Sequence, residues 1–174
     1  MEMIKVGPAG GEGRNRWWDE KGRGEVAQIF VSYNYDTVYS LQFLFYENDT
    51  LVMSNKHGTN DCESFCAVAF DYPTEFLTSI SGSFRTSYEH NILNSISFVT
   101  NKGSYGPFGN TSIYSKMFIT QIGNYRSFGG FHGSTNSYGI GSIGVYMKPI
   151  TISMINFKDL SVKVEKEEVQ EKMV

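Results

Sequence analysis

The sequence predicts an all-β domain. Three observations carry the prediction. The 174 residues include 13 Phe, 11 Tyr, 2 Trp and 18 Gly, with charged residues held to 19%. Apolar and polar residues alternate at period two. Turn signals recur about every 8–12 residues. Aromatic and β-branched side chains suit a pleated, half-buried surface, and glycine supplies the tight turns. The length fits one domain with a sizeable core, and an apolar content of 40% is too high for a disordered chain.

The elements follow in chain order. Ile29, Val31 and Tyr33 alternate with Phe30 and Ser32, and Leu41, Phe43 and Phe45 alternate with Gln42 and Leu44. Each run therefore has one buried face. Asn34-Tyr35-Asp36 between them has turn chemistry and makes the pair a hairpin. A third strand is expected over 65–70, closed by Asp71-Tyr72-Pro73. A fourth is expected over 76–84, interrupted by Gly82, and a fifth over 92–99, ended by Asn101-Lys102-Gly103. Runs at 116–121, 128–133 and 140–147 complete the set. Short strands in such number fold as a sandwich, a barrel or a prism. Ser40-Leu41-Gln42-Phe43, Ser95-Ile96-Ser97-Phe98 and Ser142-Ile143-Gly144-Val145 share a Ser-apolar-x-apolar core. Three such units point to three similar sheets around a pseudo-threefold axis.

The last stretch breaks the pattern. From Asn156 to Val174 the chain is rich in Lys and Glu and carries no Gly, Pro, Tyr or Trp. It reads as a frayed or weakly helical tail, with a docking helix for a partner as the alternative. The expected division is a domain over 1–150 and a charged tail over 151–174.

Composition and motifs narrow the function. A formal net charge of −3 leaves no broad cationic surface, so nucleic acid and anionic lipid are not expected partners. No apolar run approaches the roughly 18–20 residues of a spanning helix. Met1-Glu2-Met3-Ile4-Lys5 is too polar for the core of a signal peptide. No membrane insertion and a cytoplasmic location are therefore expected. In that compartment the sequons at Asn48 and Asn110 read as chance, and Cys62 and Cys66 as unpaired thiols. His57, His90 and His132 fall in no metal-ligand spacing. There is no G-x-S-x-G, H-E-x-x-H or P-loop; Gly10-Gly11-Glu12-Gly13 lacks the Lys-Ser/Thr ending of the last. Asp19 and Glu20, adjacent on a strand, face opposite ways and make a poor acid/base pair. No enzyme, cofactor or metal is expected. His132 reads as a packed or surface imidazole, or else as a group that orients a loop. What remains is loop chemistry. Glycine-rich loops bring backbone N–H groups close to a ligand. Such donors, an acceptor and an aromatic face together hold a neutral, hydroxyl-rich ring such as a sugar.

Four motifs, met in order over residues 4–148, resemble the jacalin-related plant lectins. They are Val6-Gly7-Pro8-Ala9-Gly10-Gly11 with Trp18-Asp19-Glu20, then Asp71-Tyr72-Pro73-Thr74-Glu75-Phe76-Leu77 leading to Ile80-Ser81-Gly82. Asn101-Lys102-Gly103 with Tyr105-Gly106-Pro107-Phe108-Gly109 follows. Phe128-Gly129-Gly130-Phe131-His132-Gly133 with Ile143-Gly144-Val145-Tyr146 closes the series. The resemblance implies a β-prism I fold: three four-stranded antiparallel Greek-key sheets around a pseudo-threefold axis. It implies mannose-type carbohydrate binding in plant defence or stress. The sugar is held between the glycine-rich loop after the opening strand and a G-x-x-x-D loop before the Ile-Gly-Val strand. In that family the Asp accepts hydrogen bonds from two sugar hydroxyls and backbone N–H groups donate others. Carried onto this chain, the site residues are Gly11, Gly13, Tyr138, Gly139, Ile140 and Gly141.

Two positions depart from the family pattern. Gly141 stands where the family has its Asp, and residues 134–141 hold no carboxylate. Gly13-Arg14-Asn15-Arg16 stands where mannose binders usually show two adjacent glycines, and Arg14 crowds the sugar. Losing one charged hydrogen bond costs about 1.5–3 kcal/mol, roughly ten- to a hundredfold in affinity. Tyr138 offers an aromatic face in compensation, and Asn136 and Ser137 offer donors and acceptors. The missing Asp and the charged tail also resemble single-domain members that restrict virus movement and work by protein association. The alternative is thus a sugar-dead interaction protein acting through self-association or protein partners. Homo-oligomers are expected, because several weak sites presented together gain avidity.

Overall fold

A computed structural model describes residues 2–10, 16–155 and 172–173. Three antiparallel sheets make up the molecule, with strands numbered along the chain. The first, in order β1-β13-β12-β2, joins β1 (Ile4–Ala9), β13 (Gly139–Met147), β12 (Phe128–Asn136) and β2 (Arg16–Asp19). The second runs β5-β4-β3-β7. It joins β5 (Thr50–Met53), β4 (Val38–Glu47), β3 (Glu25–Tyr33) and β7 (Ser64–Ala69), with the short β6 (His57–Gly58) paired to β4. The third runs β10-β9-β8-β11 through β10 (Ser104–Gly109), β9 (His90–Thr100), β8 (Leu77–Ser87) and β11 (Lys116–Gln121). Each sheet is centred on one hairpin: β3–β4, β8–β9 or β12–β13. The three-sheet prism expected from the resemblance is the architecture found.

The tripled sequence pattern has a physical origin. Its three copies lie on β4, β9 and β13, the strands that meet along the middle of the prism. The apolar positions Leu41, Phe43, Ile96, Phe98, Ile143 and Val145 are at most 1% exposed and form the shared core. The serine of each copy faces the other side and sits opposite a second serine on the neighbouring strand. The pairs are Ser40–Ser32, Ser95–Ser83 and Ser142–Ser134. All six are buried, and the hydroxyl oxygens lie 2.7 Å apart for Ser83–Ser95 and 2.6 Å apart for Ser134–Ser142. In those two pairs a small hydroxyl at a crowded cross-strand position satisfies its twin.

Edge strands β1 and β10 mirror each other too. Both shift register at a Gly-Pro pair, Gly7-Pro8 and Gly106-Pro107. The glycines take φ of +82° and +103°, which a side chain would resist, and proline without an N–H fits an edge strand.

One expectation needs correction. Residues 134–141, whose chemistry suggested a loop, are the ends of β12 and β13 joined by the two-residue turn Ser137-Tyr138. His132 is the packed imidazole among its expected readings, within β12 at 2% exposure. Strands β5, β6 and β10 were not expected. The first two are only four and two residues long, and Gly106-Pro107 punctuates the third. Cys62 and Cys66 are both free. Residues 152–155 form one helical turn. The expectation for the tail beyond lies outside the described residues, 172–173 apart. Among the described residues no helix is long and apolar enough to cross a membrane.

Candidate functional site

The β12–β13 hairpin ends in a turn whose shape is set by two residues. Asn136 and Gly139 are the last paired positions. Gly139 has φ +145°, and a Cβ there would lie 2.5 Å from the Val38 carbonyl oxygen, so only glycine lets the tip lie against β4. Asn136 Oδ1 accepts the Tyr138 N–H at 3.0 Å, the local bond by which Asn stabilises turns. Its Nδ2 donates to the Asn91 carbonyl at 2.7 Å, tying the tip to β9.

Aromatic rings lie at and beside the tip. Tyr138 is 38% exposed, and its ring centroid lies 5.6 Å from that of His90, tilted by 59°. Tyr88, on the adjacent β8–β9 turn, is 89% exposed. His90 Nδ1 is buried and has no hydrogen-bond partner among the described residues.

The structure places the expected site residues unevenly. Tyr138, Gly139, Ile140 and Gly141 form one continuous stretch at the tip. Ile140 is fully buried, backbone included, and Gly139 and Gly141 are buried beside it, so of the four only Tyr138 is exposed. Gly11 and Gly13, with Arg14, lie outside the described residues. Gly141 is informative. A Cβ there would lie 3.0 Å from Asn136 Nδ2, 3.1 Å from Ser134 Oγ and 3.3 Å from the Asn91 carbonyl oxygen. The space beside the position of the family's carboxylate is thus taken by the Asn136 carboxamide. Sequence reading offered Asn136 to a ligand, whereas the fold commits it to the turn and to β9. His90 and Asn91 were not anticipated, because they come from a strand more than forty residues upstream and no local pattern links them to the turn.

The ends of the first loop are held by a separate polar frame. His132 Nε2 bonds the Val6 carbonyl at 2.9 Å, and burial holds its pKa below the ordinary imidazole value, so it braces β1 as a neutral ring. Tyr146 donates to Asp19 Oδ2 at 2.6 Å; burial, then that bond, pushes its phenol up to about 12. On β2, Trp18 stacks on His57 at 4.2 Å, and His57 Nε2 meets Glu20 Oε1 at 2.7 Å. Arg23 bridges Glu20 and Glu47, each at 3.2 Å. The Trp-Asp-Glu motif therefore anchors β2 to its neighbours. Among the described residues no group of three or more His, Cys, Asp or Glu could hold a metal. The tip offers the exposed Ser137 hydroxyl and the Tyr138 ring, chemistry suited to holding a ligand.

Comparison with known proteins gives this geometry its family. The model of the jacalin-like lectin domain matches residues 6–146. The chain is 36% identical over 156 residues to Protein RESTRICTED TEV MOVEMENT 1 of Arabidopsis thaliana, covering 86% of this chain and 89% of that one. It is also 36% identical over 162 residues to Jacalin-related lectin 2 of the same plant, covering 86% and 88%. Among solved structures it superposes on the artocarpin–mannotriose complex with a TM-score of 0.76 and 28% identity, over 86% of this chain and 99% of that one. With the family model spanning nearly the whole prism, the chain belongs to the jacalin-like lectin domain family.

Proposed function

We propose that this protein is a mannose-type glycan-binding domain that works in plant defence or stress. Its sugar rests on the exposed face of the β12–β13 tip, against the Tyr138 ring and the Ser137 hydroxyl. The supporting observation is the preorganised turn: Gly139 against Val38 and Asn136 on Asn91 fix the position of Tyr138 before any ligand arrives. The mannotriose complex of a superposable lectin supports the ligand class. With Gly141 in place of a carboxylate, affinity for one sugar is weak, and oligomers in the cytoplasm supply the rest by avidity. A reducing cytoplasm suits Cys62 and Cys66 as free thiols.

A second reading is favoured by one observation, the Asn136 carboxamide beside Gly141. A hairpin closed in this way suits a prism that works through protein association. The likeness to Protein RESTRICTED TEV MOVEMENT 1 supports it as well. Mannose–agarose separates the two. Retention and release by free methyl α-mannoside supports the lectin, and flow-through of folded protein at high resin density supports the interaction protein.

A further inference from the structure

A cavity of about 280 Å³ opens between the β3–β4 turn and the segment that follows β10. It is separate from the β12–β13 tip and shares none of its residues.

Both walls are fastened to one side chain. Asn94 is 0% exposed. Its Nδ2 donates to the Asp36 carbonyl at 2.7 Å, and its Oδ1 accepts from Ser115 Oγ at 2.7 Å. Its backbone carbonyl accepts the Asn110 N–H at 3.2 Å. The turn is stiff in its own right. Asp36 N–H donates to Asn34 Oδ1 at 3.0 Å, and Thr37 Oγ1 donates to Asp36 Oδ1 at 3.1 Å. The cavity is therefore preformed, as ligand sites usually are.

Its polar groups are only half used. Asp36 keeps Oδ2 for the cavity. That oxygen meets Arg85 Nη2 at 3.5 Å, well beyond the roughly 2.7–2.9 Å of a tight charged hydrogen bond. The two side chains are 27% and 44% exposed, so water screens the pair only in part. A guanidinium has five donors, and this one spends a single long contact on the carboxylate. Tyr35, 77% exposed, lies at the rim.

An anion entering here meets Asp36 and a cation meets Arg85. A hydroxyl both donates and accepts, so a pair of adjacent hydroxyls satisfies both charged groups at once. We propose that this cavity binds one neutral hexose ring of a glycan. Vicinal hydroxyls bridge Asp36 Oδ2 and the Arg85 guanidinium, and the ring rests on Tyr35. The volume suits a single ring and the carboxylate is the group that the β12–β13 tip lacks. The site stands whether or not that tip binds sugar.

Isotope-labelled protein would be titrated with methyl glycosides of mannose, glucose, galactose and N-acetylglucosamine, and with sodium glucuronate, following amide and Arg Nε–H resonances. At least one neutral glycoside should shift residues 35–36, 85 and 110–112 saturably. Arg85→Gln and Asp36→Asn should each weaken that response at least about tenfold, with the rest of the spectrum unchanged. Tyr35→Ala, at an exposed position that the fold does not need, should weaken it about two- to tenfold. Shifts confined to 137–141 would overturn the cavity and leave the tip reading intact. Shifts confined to the cavity would uphold it and overturn the tip. Silence with every neutral glycoside, or a response to glucuronate alone, would also overturn it.

Discussion

Single residues decide how closely this prism follows its family. At Gly141 the sequence shows that a carboxylate is missing, but not that Asn136 has taken the adjoining space. Gly141→Asp should therefore do more than restore a ligand group. The new side chain must displace a carboxamide bonded to Asn91, so overpacking should destabilise the protein by about 1–3 kcal/mol. Thermal unfolding checks this. Adding Asn136→Gly should return part of the loss and raise mannose affinity above that of the single variant. Glu75 is a second such residue, 4% exposed in the corner before β8. Burial pushes its pKa up, but hydrogen bonds from the Asp71 N–H, Thr100 and Tyr105 outweigh that, and the net shift is downward. A carboxylate with a depressed folded pKa stabilises the fold above the unfolded value near 4.5, and loses that contribution as pH falls through the folded value. Glu75→Gln should cost about 1.5–3 kcal/mol at neutral pH and flatten the acid limb of a stability profile. The Asp-Tyr-Pro and Asn-Lys motifs that carry much of the family resemblance serve this corner. Lys102 bridges Asp71 at 3.0 Å, and Asn101 accepts the Phe76 N–H at 2.9 Å.

At the scale of elements, the hairpin β3–β4 was legible because its alternation is long and its turn chemistry unambiguous. Strand β10 was not, because Gly106-Pro107 looks like a break and is in fact a bulge tolerated at a sheet edge. Residues 134–136 were misread because Ser, Thr and Asn look like a loop, whereas they extend β12, with the Ser134 hydroxyl buried against Ser142. The serine pairs are testable as a unit. Ser95→Ala leaves Ser83 with Thr111 as its remaining hydroxyl partner and should cost about 1–2 kcal/mol. The Ser83→Ala/Ser95→Ala double variant should cost less than the two singles together, and denaturant unfolding of all four proteins measures the difference.

The whole molecule combines a symmetric frame with an asymmetric set of tips. The frame was readable from a tripled four-residue pattern, because each sheet must present the same small-apolar rhythm to a shared core. The tips were not, because their chemistry depends on which neighbouring sheet each one touches. The pH response of the molecule follows from its frame. His132, whose pKa burial depresses from 6.5, contributes fully above that value and loses its contribution as pH falls through the folded pKa. Tyr146, raised from 10.0 to about 12, contributes fully below 10 and loses its contribution as pH rises through the folded pKa. Melting temperatures should therefore form a plateau between these limits, and Tyr146→Phe should remove the tyrosine part of the alkaline slope.

Glycan binding at the β12–β13 tip is tested most directly by calorimetry of mannotriose against the wild-type protein, Tyr138→Ala and Arg85→Gln. Binding through the tip requires saturable heat in the wild type, a loss of about two- to tenfold in Tyr138→Ala, and retention of the tip's share in Arg85→Gln. No heat in the folded wild type, or heat indifferent to Tyr138→Ala, would contradict it.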